Sequence, residues 1–85
     1  MSNENREIPW QITKIIEVAN ELNKRGSTGA STGERIAAAF VLNKMEYLPE
    51  MYKDDVLEAW DRLDHPWKAC VRVIKRKCMH HIKGR

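Results

Sequence analysis

Apolar residues recur along this chain at helical spacing and nowhere at the strict alternation of strands. Ile12, Ile15, Ile16, Ala19 and Leu22 draw one stripe, with offsets of 3, 4, 7 and 10 from the first. Pro9 suits the opening turn, where its missing N–H is not needed. Lys24 and Arg25 match the negative end of the helix dipole, and Gly26 can stop the helix in a left-handed conformation. The pattern predicts a first helix over 9–25.

The link GSTGAST, residues 26–32, is rich in glycine and hydroxyl residues. Ser31 and Glu34 have capping-box spacing, in which each side chain satisfies the other residue's amide. A second helix is predicted over 34–44, with Ile36, Ala39, Phe40 and Asn43 on its inward face. The run Ala37-Ala38-Ala39 favours helix and lets a neighbour come close.

Residues 45–53, MEYLPEMYK, break the periodicity, since Pro49 disfavours helix at Leu48. Their greasy composition predicts a loop packed on the body. Asp54 reads as the N-cap of a third helix reaching Leu63, with Val56, Leu57, Trp60 and Leu63 inward. Asp64-His65-Pro66 then opens a fourth helix. Its apolar side is Trp67, Cys70, Val71, Ile74, Cys78 and Ile82. Its other side carries Lys68, Arg72, Lys75 and Arg76.

Four helices with one apolar stripe each must close on one another. The expected fold is all-α: a compact four-helix domain over 8–85 with short connections, preceded by a flexible polar tail over 1–7. At 85 residues the chain holds one domain at most, with a small core and little room for a deep pocket. It contains no apolar run long enough to span a bilayer and no signal-peptide pattern, so a soluble cytoplasmic protein is expected.

Charge changes the picture. The net is only +3, but residues 1–64 hold all 12 acids and 8 of the 15 bases, a balance of −4. Residues 65–85 hold the other 7 bases and no acid. An acidic body carrying a basic final helix points to an interaction surface.

Chemical motifs are sparse. Cys70 and Cys78 lie eight apart on one helix, about 12 Å of rise, beyond the reach of a disulfide. Together with His65, His80 and His81 they lack the close paired spacing of a zinc site, and no metal is expected. Cys78 with His80 or His81 has no orienting carboxylate nearby in sequence. The acids of the third helix read as a solvated face. No phosphate-cradling loop or cofactor motif is present, so neither an enzyme nor a cofactor is expected. A helix-turn-helix is disfavoured: nine residues including Pro49 separate the second and third helices, and the tight Asp64-His65-Pro66 joint that would make the fourth helix the reader lacks the usual glycine and puts Trp67, better explained as core, at the entry.

Binding remains. Lys68, Arg72, Lys75 and Arg76 are the expected electrostatic contacts, with Tyr47, Met51 and Tyr52 of the irregular loop as apolar anchors. Those loop residues equally suit a lid on a small core. A protein partner is favoured over nucleic acid, because the acidic body would repel a duplex wherever the basic face does not cover it. Pairing of two copies through their opposite charges is a third option.

The stretch Ser31-Thr32-Gly33-Glu34-Arg35-Ile36-Ala37-Ala38-Ala39 to Leu42-Asn43, then Tyr47-Leu48-Pro49 and Glu58-Ala59-Trp60-Asp61-Arg62-Leu63, resembles small helical accessory proteins of bacterial phages and mobile elements. The resemblance covers about half the chain. It implies accessory or host-interacting proteins that work by binding, including inhibitors of host defences and adaptors, and it assigns no functional residue.

Overall fold

A computed structural model describes residues 9–83. The polar tail expected over 1–7 lies outside the described residues. Four α-helices follow in order: α1 Trp10–Arg25, α2 Thr32–Leu42, α3 Val56–Asp61 and α4 His65–Val73. Two 3-10 turns, Met45–Tyr47 and Glu50–Tyr52, stand between α2 and α3. After α4 the chain continues as a π turn, Ile74–Cys78, and a 3-10 turn, Met79–His81. The domain is all-α, and no helix among the described residues is long and apolar enough to cross a membrane.

Helix α1 keeps its predicted C-terminal limit and starts one residue later than predicted, at Trp10. Pro9 precedes it, and Gly26 ends it at φ 77°, a left-handed position that costs a glycine little. The Gly26 amide donates to Leu22 O at 2.7 Å. Ile12, Ile15, Val18, Ala19 and Leu22 are buried. Each fully buried aliphatic of this kind contributes about 1.5–3 kcal/mol. The following link folds back on α1: the Thr28 hydroxyl donates to the Glu21 carboxylate and accepts from the Ala30 amide.

Helix α2 is the centre of the molecule. Its capping box forms, with Glu34 N donating to Ser31 Oγ at 3.4 Å and Ser31 N to Glu34 Oε1 at 3.1 Å. Ile36, Ala37, Ala38 and Ala39 are all fully buried. Successive residues step about 100° around a helix, so burial on four in a row means neighbours on every side. α1 and α4 both pack on it, and α3 touches it as well. This corrects the expectation of a single inward face. Asn43, expected inward within a helix reaching residue 44, is instead the left-handed C-cap at φ 59° and is exposed. Asparagine tolerates that conformation because its short polar side chain bonds locally.

The loop packs on the body as expected. Leu48 is fully buried between the two 3-10 turns, and Tyr47 and Tyr52 are half-buried against the core. Helix α3 is shorter than predicted. Its N-cap is Asp55 rather than Asp54, with the carboxylate accepting from Glu58 N at 3.0 Å. In fewer than two turns only a narrow stripe can face inward. Ala59 takes it, with Trp60 half-buried beside it and Leu63 buried just past the helix end, while Val56 and Leu57, expected inside, are 39% and 77% exposed.

Helix α4 buries Cys70 and Val71, and Ile74 and Ile82 follow on the same side. Trp67 meets Trp10 edge to face, with centroids 5.6 Å apart. The chain end is clamped to α1. Asn20 accepts from Lys83 N at 2.6 Å and donates to His81 O at 3.2 Å, and Asn23 donates to Lys83 O at 3.0 Å.

Candidate functional site

Three cations of the final helical segment meet two neighbours, the Trp60 ring and the end of α2. The Lys68 ammonium lies 5.8 Å from the centroid of the Trp60 ring, and the Arg72 guanidinium 5.5 Å from it. Trp60 is steadied by Phe40, which it meets edge to face at 5.1 Å. At such distances the ring's negative face attracts both cations, by about 0.5–1 kcal/mol each where solvent reaches them. Neither charge is neutralised by this contact.

Lys75 is used differently. Its Nζ donates to Phe40 O at 3.0 Å, to Val41 O at 3.4 Å and to Asn43 Oδ1 at 3.0 Å. These oxygens belong to the last turn of α2 and its cap, where carbonyls lack helical partners and the dipole is negative. Lys75 therefore closes α2 from outside. Partial burial there lowers its pKa from the ordinary lysine value. Arg76 and Lys77 point into solvent.

Among the described residues Lys53 and Glu50 form an ion pair at 3.5 Å, within one short turn. Lys68, Arg72 and Lys75 are met by a ring and by carbonyls rather than by carboxylates.

Between α3 and α4 lies an open groove with Phe40, Trp60 and Val71 in its floor. Val56 and Leu57 form one wall, and Arg72 and Lys75 the other. Leu57 is the most exposed large aliphatic among the described residues. Leu57 was expected inside with the other apolar residues of α3, but these do not form one stripe. The signal for the correct placement is present: Ala59 and Leu63 are four apart and define the inward line, and Leu57 lies well off it.

The loop residues divide. Tyr47 and Tyr52 lie on the core as a lid. The Tyr47 carbonyl accepts from Arg35 Nε at 2.7 Å, and the Lys44 ammonium lies 5.9 Å from its ring. Met51 stands 75% exposed. The structure brings Lys68, Arg72 and Lys75 around the α3–α4 groove, but none of Tyr47, Met51 or Tyr52 lines it.

Cys70 is buried, which pushes its thiol pKa up and makes it a poor nucleophile. Cys78 is half-buried, and the His80 and His81 rings lie against each other at the exposed chain end. Among the described residues no three His, Cys, Asp or Glu side chains group closely enough to hold a metal ion.

Comparison of the chain with models of protein families, with curated proteins and with solved structures finds no match in any of the three.

Proposed function

We propose that this chain is a non-enzymatic binding protein whose α3–α4 face docks onto another protein. The observation that carries this reading is the position of Leu57. It stands 77% exposed on one wall of a groove whose other wall is Arg72 and Lys75. An apolar centre with a charged rim is how protein-docking patches are built, with aromatic and arginine side chains supplying most of the affinity. Trp60, with Lys68 and Arg72 against its ring, is such an anchor pair held ready. Arg76 extends the positive rim.

The same cations favour a second reading, contact with nucleic-acid phosphates through Lys68, Arg72, Arg76 and Lys77. It is weaker on two counts. Lys75 is taken up by the carbonyls of α2, and the acids Asp54, Glu58 and Asp61 stand exposed on and beside α3, where they would repel a duplex. The likeness to phage and mobile-element accessory proteins supports a cytoplasmic, host-interacting setting, as an inhibitor or adaptor.

The test is affinity purification from the source cells with four tagged forms. The wild type and Lys24→Glu, on the distant α1 surface, retain one and the same protein. Leu57→Asp and the double variant Arg72→Glu/Arg76→Glu lose it while keeping helical circular dichroism. Retention of that protein by Leu57→Asp overturns the reading. So does a low-salt gel shift of DNA or RNA that the double variant abolishes.

A further inference from the structure

A second hollow lies where α2 ends, sharing only Asn43 and Lys75 with the lining of the α3–α4 groove. Its volume is about 320 Å³, at the small end of ligand pockets. Leu42 and Met79 give it an apolar wall, and Asn23, Asn43, Lys44 and Lys75 a polar one. Three parts of the chain meet here: the end of α1, the end of α2 and the segment after α4. Among the described residues that line it there is no aspartate or glutamate, so both of its charges are positive.

We propose that this hollow binds a small organic monocarboxylate, with the carboxylate at Lys44 and Lys75 and the hydrocarbon body against Leu42 and Met79. The polar side is already held in place. Asn23 accepts from the Lys44 ammonium at 3.3 Å while its own amide donates to Lys83 O at 3.0 Å. Each ammonium carries three hydrogens. Lys75 directs its own at Phe40 O, Val41 O and Asn43 Oδ1. Lys44 donates, among the described residues, to Asn23 alone, so hydrogens remain on it for a ligand. Lys44 is therefore the direct donor, and Lys75 acts on the ligand by its charge.

The end of a helix would by itself repel an anion, because its last carbonyls are negative. Here Lys75 sets an ammonium over the carbonyls of Phe40 and Val41. Partial burial of that ammonium disfavours its charged form. A bound carboxylate supplies the opposite charge that the lining lacks, and charge-assisted bonds gain strength where water is partly excluded.

Charge and shape together define the class. Two lysines, one with its hydrogens already directed elsewhere, suit a single negative charge better than a phosphate dianion, whose three oxygens need more donors. No arginine fork is among the lining residues to read a planar group from two sides. The Leu42 and Met79 wall rewards a short alkyl or aryl body over a bare ion such as acetate.

The test titrates octanoate into the isotope-labelled full chain and follows amide shifts by NMR. Saturable one-to-one binding is expected, with the shifts centred on the side-chain amides of Asn23 and Asn43 and on Met79. Octanamide, of like shape but uncharged, binds about tenfold more weakly or less, and so does acetate, which lacks the body. Lys44→Met weakens octanoate by about the same factor while keeping helical circular dichroism, and Lys44→Arg and Arg76→Met retain it. Leu57→Asp also retains it, which separates this site from the docking face. Octanoate that fails to saturate by about 10 mM overturns the proposal. Octanamide as tight as octanoate overturns it, since the hollow is then an apolar patch alone. Undiminished binding by Lys44→Met, or shifts confined to the α3–α4 face, overturn it as well.

Discussion

Lys75 and Asn43 meet at 3.0 Å, the ammonium donating to the side-chain oxygen of the residue that caps α2. One cation from the basic helix thus completes the end of the central helix, together with the Phe40 and Val41 carbonyls. Removing it separates a structural role from a surface one. Lys75→Met keeps the aliphatic stem and leaves those oxygens to water. Stability in urea is expected to fall by about 1 kcal/mol, the usual worth of a partly exposed charged hydrogen bond at a helix C-terminus. Arg76→Met, with the same loss of charge, is expected to leave the midpoint nearly unchanged.

The all-round burial of α2 predicts intolerance to volume. Ala38→Leu adds three carbons to a position with no exposed surface. Overpacking is expected to cost about 1–3 kcal/mol. The measurement is thermal unfolding by circular dichroism, with Ala69→Leu on the exposed side of α4 as the control that stays near wild type.

Cys70 predicts an alkaline weakness. Burial raises its folded pKa above that of the unfolded thiol. The unfolded chain therefore loses this proton first as pH rises, and ionisation favours the unfolded state. The contribution is fully present below the ordinary value of the unfolded thiol and is lost as pH climbs from there through the raised folded value. Cys70→Ala is expected to flatten the decline in melting temperature over that alkaline window. A thiol reagent is expected to modify half-buried Cys78 before Cys70 in the native protein.

The clamp on the chain end gives a further expectation. Asn20 is bonded to both His81 O and Lys83 N, across more than sixty residues of sequence. Asn20→Ala removes both bonds and is expected to cost about 1–2 kcal/mol. Limited proteolysis checks it: cleavage beside Lys83 accelerates in the variant, while sites in α1 stay protected. Equal protection of Lys83 in both forms contradicts the clamp.

Much of this was readable from the chain. The extent of α1, the Ser31–Glu34 box and the inward side of α4 follow from local spacing, and local spacing survives folding. Three features did not follow. Burial of Ala37, Ala38 and Ala39 together depends on how many neighbours α2 has, which no single helix reports. The outward turn of Val56 and Leu57 depends on Ala59 and Leu63 marking the inward line of α3, with Trp60 half-buried beside them, and the apolar pattern alone does not choose that line. Lys75 looked like one member of a row, but its role is fixed by carbonyls more than thirty residues away. The candidate surface was thus legible in charge and illegible in its apolar half.

The three tryptophans sit in places that make them separate reporters. Trp10 and Trp67 touch across α1 and α4, so their emission follows whether those helices stay docked. Trp60 lies in the groove beneath two cations, so its quenching responds to whatever settles there. Single-tryptophan forms of this chain can therefore distinguish, by fluorescence alone, a surface being occupied from a fold coming apart.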